Sequence, residues 1–414
     1  MPSGRVSYPP AVRAALGLAC LVAGCGARSG LLLGGPDGGV PYEDGGGPPE
    51  ASPPICVALD GVGDTTLEIP FTTRIETADV LFLVDATSSM RDEAEEIRQR
   101  LKDTLAPGIA AEIRNVRFAV AYVGDFPVDP FGARADRPFG LLQEVTDDLD
   151  DVEIAVDAIP LLEGGDGPEG QVEALYQSAT GDGIGEYVAP SNCTSGRGYP
   201  CFRPAASPII LLFTDAAFHN DPDGVNPYRS ITPTPHTYDE AVAALLEIGA
   251  RVIGLNSGGG FGAQNLTDIA RDTGAIGPKG PLVFDIGFRG EELDEGVVAT
   301  MRTLANEVPL DVTARSEDVP GDEVNAIVFV KSLRALRAEP PDGVAGFEDV
   351  TFRQVRPGTT VVFELVIDET AVPRQAHVRE HWLRIVLVGE GSTPLAEQDV
   401  IIRLSGTEED AACP

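Results

Sequence analysis

The chain has 414 residues, with 65 Asp or Glu against 30 Lys or Arg and a formal net charge of −35. Charge of that sign excludes nucleic acid and anionic membrane surfaces as electrostatic partners and suits a solvated, exported surface, although habitat or solubility alone would account for it equally well. The length leaves room for two or three domains, and an apolar share of 43% is ordinary for a globular protein.

Arg5 and Arg13 flank the start of an apolar run, Ala14 to Ala23, too short to span a bilayer as a helix. The run ends Leu21-Val22-Ala23-Gly24-Cys25, which resembles a bacterial lipobox. Residues 1–25 are therefore predicted to be a lipoprotein signal peptide with Cys25 as the lipidated residue; an ordinary signal peptide with a stray cysteine is the alternative. The expected location is the cell envelope or cell surface, with lipid as the membrane attachment. Residues 26–54, rich in Gly, Pro, Asp and Ser, read as a flexible linker. Beyond it lie Cys56, Cys193, Cys201 and Cys413, an even number in an exported chain, which favours two disulfides over metal binding. Of the three possible pairings we favour Cys193–Cys201, closing a short Gly/Pro loop, and Cys56–Cys413, joining the two ends of the folded part.

Residues 77–308 alternate strand and helix patterns. Asp79 to Val84 is a continuous apolar run after its first residue and reads as a buried strand. Ile97, Leu101, Leu105 and Ile109 follow at helical spacing. Further strands are predicted over Phe118–Val123, Pro208–Thr214, Arg251–Leu255 and Pro281–Ile286. Helices are predicted around Val172–Tyr176, Ala241–Ile248, Leu266–Arg271 and Leu293–Leu304. Such alternation predicts an α/β fold, a doubly wound parallel sheet covered on both faces. Between the first strand and its helix stands Asp85-Ala86-Thr87-Ser88-Ser89-Met90-Arg91-Asp92-Glu93. An acid and two hydroxyls at spacing two thus sit at the carboxyl edge of the sheet, where such folds bind ligands. Hard oxygen donors there suit Mg²⁺ or Ca²⁺ better than Zn²⁺.

This loop resembles the metal-ion-dependent adhesion site of von Willebrand factor A domains, most of all the integrin β-subunit version. Gly164-Gly165-Asp166-Gly167-Pro168-Glu169-Gly170 resembles the integrin D-x-P-E-G loop, and Thr214-Asp215-Ala216-Ala217-Phe218-His219 is similar to its T-D-A-x-x-H stretch. The resemblance implies that Thr87, Ser89 and Glu169 bind Mg²⁺ (or Mn²⁺) directly, and that Asp85 and Asp215 hold coordinated waters. It also implies that a partner carboxylate takes a vacant position on the metal. An adjacent Ca²⁺ site would use Asp92 and Glu93, with Asp166 as a further candidate. Glu93 departs from the family's Asp, and Gly164 stands where a third family site has Asn.

Residues 55–76 and 309–414 are predicted to form an all-β sandwich, with the α/β domain inserted in it or joined to it. Its strands are Leu67–Phe71, Ala326–Val330, Phe347–Phe352, Thr359–Ile367, Leu383–Val388 and Val400–Leu404. Gly258-Gly259-Gly260-Phe261-Gly262 lacks the order of a nucleotide fingerprint, and His377 and His381 do not sit on a convincing helix. No nucleophile–base set can be assembled, so the chain is expected not to be an enzyme. It is expected to bind a protein ligand that presents an acidic residue, or to serve as a structural component of a surface complex through the same site.

Overall fold

The computed structural model describes residues 53–408 and 411–413, apart from residues 76, 101–103, 258–259, 261, 288–291, 322–323 and 390–392. The export segment with Cys25 and nearly all of the linker lie outside the described residues, as does most of the Gly258–Gly262 loop.

Two strands come first, β1 (Ile55–Leu59) and β2 (Asp64–Thr72). The α/β region then runs β3 (Thr77–Asp85), α1 (Arg91–Arg100), α2 (Ala106–Glu112), β4 (Asn115–Val123), β5 (Phe139–Thr146), α3 (Leu149–Asp157) and α4 (Gln171–Thr180). It continues β6 (Ser207–Thr214), α5 (Tyr238–Glu247), β7 (Arg251–Asn256), α6 (Ala263–Asp272), the short pair β8 (Ile276–Gly277) and β9 (Gly280–Pro281), β10 (Val283–Asp285) and α7 (Leu293–Glu307).

Six of these strands form one sheet in the order β10-β7-β6-β3-β4-β5. Along β3, Val80, Phe82 and Val84 enter one apolar core while Leu81 and Leu83 enter the other, so both faces are covered. The sheet is mixed rather than wholly parallel, because β5 pairs antiparallel with β4 at the edge. The connection between them, residues 124–138, contains no crossover helix to return the chain in the parallel sense. The helical pattern through Ile97 and Ile109 is met by α1 and α2, with residues 101–103 between them outside the described residues; Pro107 stands in the first turn of α2, where its missing N–H costs least.

The remaining strands are β11 (Leu310–Asp318), β12 (Val330–Glu339), β13 (Gly346–Glu348), β14 (Thr351–Val355), β15 (Thr360–Asp368), β16 (Arg379–Gly389) and β17 (Thr393–Leu404). They make a sheet ordered β1-β17-β16-β11-β14-β13 and a second ordered β12-β15-β2. Strands from before and after the α/β region therefore share both sheets. Phe352 of β14 meets Phe363 of β15 edge-on at 5.2 Å, and Phe363 meets Phe71 of β2 at 6.1 Å, so aromatic rings bridge the two sheets. Residues Ala326–Phe329 form a 3₁₀ turn instead of the predicted strand. Asn325 accepts from the Ile327 N–H and Asp318 from the Ala326 N–H, which fixes a turn before β12 begins. Cys56 is bonded to Cys413 and Cys193 to Cys201. Both bonds fit an oxidising, extracytoplasmic compartment.

Candidate metal centre

Parallel strands bring their carboxyl ends to one edge, and three acids stand there. Asp85 ends β3, Asp125 lies two residues past β4, and Asp215 follows β6 directly. The turn after β3 is folded around Asp85. Its Oδ1 accepts from the Thr87 N–H at 3.0 Å and from the Thr87 hydroxyl at 2.7 Å. Its Oδ2 accepts from the Thr214 hydroxyl at 2.7 Å and from Gln171 Nε2 at 3.3 Å. The Ser89 hydroxyl donates to Asp215 Oδ1 at 3.0 Å, and the Thr87 and Ser89 oxygens stand 3.3 Å apart. An unbroken row of oxygens thus runs from Asp85 to Asp215.

Glu169 reaches the row from the glycine-rich loop. Asp136 shapes that loop by accepting from the backbone N–H groups of Ala133, Glu163 and Gly164. The Glu169 N–H donates to Ala217 O at 2.9 Å, and the His219 N–H donates to Glu169 O at 2.8 Å, tying the loop to the segment after β6. The Glu169 carboxylate is buried, and no donor among the described residues reaches its Oε2. A Cβ at Gly164 would lie 2.9 Å from Glu169 Oε1 and 3.9 Å from Thr87 Cγ2, so the carboxylate fills space that only glycine leaves open. Gly164 also has φ +68, where a side chain is strained. Gly164→Ala is therefore expected to cost about 1 kcal/mol of stability and to displace Glu169, read as a loss of Mg²⁺ affinity in isothermal titration; unchanged affinity would remove Glu169 from the site.

Burial pushes the Glu169 carboxyl up to about 10, with Asp85, Asp125, Asp166 and Asp136 adding like charge. Burial likewise raises Asp85 to about 6 against the hydrogen bonds from Thr87 and Thr214, and raises Asp215 against its bond from Ser89. Among the described residues the three carboxylates do not close into one group within 4.8 Å; the two hydroxyls stand between Asp85 and Asp215. The set fits a hard divalent cation. Both hydroxyl protons are committed to acids, which only accept. Two oxygen lone-pair faces and an unpartnered carboxylate oxygen are left for a positive charge.

The second predicted set is drawn from two elements. Glu93 is buried in the first turn of α1, its carboxyl pushed up to about 7 by burial with Asp215 and Asp92 adding to it. Asp166 lies in the glycine-rich loop. With Asp125 and His219 it forms a group whose ligand atoms lie within 4.8 Å of one another, two of the three residues buried. His219 Nε2 is 3.2 Å from Asp166 Oδ1 and 3.5 Å from Asp125 Oδ2.

No family model matches this chain, and no curated protein does. Among solved structures it is similar to a von Willebrand factor type A protein from Catenulispora acidiphila, at 15% identity and a TM-score of 0.36, over 85% of this chain and 72% of that one. It is similar to the pilus adhesin SpaC from Lactobacillus rhamnosus GG in its open conformation, at 12% identity and a TM-score of 0.35, over 84% of this chain and 46% of that one. Another SpaC crystal form gives 12% identity and a TM-score of 0.36. The chain spans about half the length of SpaC.

Asp125, Asp136, Gln171 and Tyr228 were not singled out from the sequence, and Thr214 was read only as part of the stretch that carries Asp215. Asp125 accepts from the Tyr228 hydroxyl at 2.5 Å and the Phe126 N–H at 2.6 Å, and burial raises its carboxyl to about 8. A signal for it existed: Val123-Gly124-Asp125 closes a buried strand with a small residue and an acid, at the same sheet edge as Asp85.

Proposed function

We propose that this chain is an extracytoplasmic binding protein that captures a carboxylate of a protein partner through a divalent cation of the Mg²⁺ class. Thr87, Ser89 and Glu169 would hold the cation, with Asp85 and Asp215 acting through water. In this reading residues 77–308 are an A-type, integrin-like domain set into a β-sandwich built from residues 55–76 and 309–414, tethered through Cys25. The observation that carries it is the row of oxygens from Asp85 to Asp215 together with the orphaned Glu169 carboxylate oxygen. Thr87 donates to Asp85, Ser89 donates to Asp215 and the two hydroxyl oxygens stand 3.3 Å apart, while the buried Glu169 Oε2 has no donor among the described residues. The bound cation supplies a Lewis-acidic position. The hydroxyls bring no charge, so the single direct carboxylate, Glu169, leaves the site electrophilic toward an incoming acid. Binding of this kind breaks no bond.

The test is capture of surface proteins or extracellular matrix on the immobilised chain, with Mg²⁺ and with EDTA. Capture is expected in Mg²⁺ alone, and Ser89→Ala and Asp215→Ala are each expected to weaken it at least tenfold while thermal melts stay cooperative. Capture that survives EDTA and both substitutions would mean that the partner is held elsewhere.

A further inference from the structure

The connection between β6 and α5, residues 215–237, is held in two different ways along its length. Its first part closes on itself. Asp221 accepts from the Val225 and Asn226 N–H groups, and the Asn220 N–H donates to Asn226 O. The Tyr228 N–H donates to Asn220 Oδ1 at 2.9 Å, and the Tyr228 hydroxyl to Asp125. The returning limb, residues 229–235, makes no hydrogen bond or ion pair with any described residue. Two of its residues, Pro233 and Pro235, have no N–H to offer. Ile231 and Pro235 are buried, but the limb's polar anchor is the residue that follows, His236.

His236 is gripped by α4. Its backbone N–H donates to Glu173 Oε2 at 3.0 Å, and its Nδ1 lies 3.0 Å from both Glu173 oxygens. A carboxylate only accepts, so Nδ1 carries a proton. Glu173 is 1% exposed and has Gln177 Nε2 as a further donor at 2.8 Å. The His236 ring stacks on Tyr176, 3.5 Å between centroids and 12° between planes. Asp182, just past α4 and bonded to the Tyr176 hydroxyl, and Glu240 of α5 also act on the ring. An imidazolium here meets three acids and an aromatic face.

Burial works against that charge, but the hydrogen bond and charge of Glu173, with Glu240 and Asp182, outweigh it and hold the ring's pKa above 6.5. The anchor is therefore at full strength below the unfolded value of about 6.5 and fades as pH climbs through the folded one. The proton lost is that of Nε2. The Nδ1–H bond to Glu173 stays, reduced from a charged donor to a neutral one.

We propose that His236 is a pH-sensitive latch, which clasps residues 229–235 to α4 while its ring is charged and lets this limb open when the ring is neutral. The adjoining Tyr228 holds Asp125, so the latch acts on the same sheet edge as the candidate metal centre. It does not depend on the carboxylate reading given above.

The experiment is limited trypsin digestion of the full chain from about pH 6 to about pH 8.5, the range in which imidazole changes charge. Arg229 is the limb's single trypsin site, and cleavage there requires local opening. Fragments beginning at Ser230 are measured by mass spectrometry and normalised at each pH to hydrolysis of a short arginine peptide. Normalised cleavage is expected to rise about tenfold across the range, the difference between a charged and a neutral hydrogen bond. His236→Arg, a permanent cation able to stack on Tyr176, is expected to be cleaved slowly at every pH. His236→Gln, never charged, is expected to be cleaved quickly at every pH. No rise in the parent, a rise in His236→Arg, or slow cleavage of His236→Gln overturns the latch. A rise retained in His236→Gln also overturns it and assigns the titration to Asp125 beside Tyr228.

Discussion

Arg203→Met is expected to destabilise the protein by about 3–5 kcal/mol, the cost of stranding a buried charge. The charge is that of Asp79, which is fully buried near the start of β3. Arg203 serves it from three directions: its backbone N–H donates to Oδ2 at 2.6 Å, and Nε and Nη2 each lie 2.7 Å from Oδ1. The same guanidinium caps Ala78 O and Asn115 O, so it also closes the amino edge of β3 and β4. Burial raises the Asp79 carboxyl even with Arg203 beside it, so the pair specifies geometry more than it adds stability. Asp79→Leu combined with Arg203→Met is accordingly expected to recover most of the loss, since replacing both partners leaves no orphan. Urea melts of the two single variants and the double variant measure this. A single-variant loss below about 1 kcal/mol, or a double variant no better than the sum of its parts, would mean that water reaches Asp79. The Mg²⁺ response should persist in folded Arg203→Met, because the pair lies at the opposite end of β3 from Asp85.

The oxygen row after β3 could be read in the sequence because its residues are local. Asp85, Thr87 and Ser89 follow a run of apolar residues within five positions, at the carboxyl end of a buried strand. The β3, β6 and β7 strands were legible for the same reason, being apolar on both faces. What stayed hidden depends on partners far away in sequence. Asp136 organises a loop 27 and 28 residues downstream through backbone N–H groups, which carry no sequence signature. Gln171 and Thr214 read as ordinary helix and strand residues until the fold brings both to Asp85. The antiparallel edge β5 and the 3₁₀ turn at Ala326–Phe329 were missed because a short apolar run has no period that separates parallel from antiparallel, or strand from turn. The approach of Asp166 to Asp125 and His219 was not foreseen, because it depends on the path of a loop that the sequence does not define.

Without divalent cation, the protein is expected to lose stability as pH rises from 5 to 8, the reverse of ordinary acid denaturation. Burial lifts the carboxyls of Asp85, Glu93, Asp125 and Glu169 to about 6, 7, 8 and 10. In the unfolded chain they ionise near pH 4. Between those values the folded protein retains protons that the unfolded chain has released. The stability they contribute is full below about pH 4 and is lost as pH climbs through the folded-state values. Carboxyls shifted the other way, Asp311 by its bonds from Arg353 and Gln354 against the effect of burial, and Asp368 by its bonds from Thr370, act only below about pH 4, outside the window. His236, raised by Glu173 against the effect of burial, adds to the decline but has no reason to respond to a cation. The informative quantity is thus the difference between melts in EDTA and in Mg²⁺. A cation compensates the charges that deprotonation creates, so its stabilisation should grow with pH and reach about 2.7 kcal/mol at a hundredfold excess over Kd. Glu169→Gln removes the most strongly raised acid. That variant should melt higher than the parent in EDTA at pH 8 and should gain nothing from Mg²⁺. If Tm in EDTA rises across this range, or falls equally with and without Mg²⁺, the buried carboxylates are satisfied without a cation and the metal reading fails.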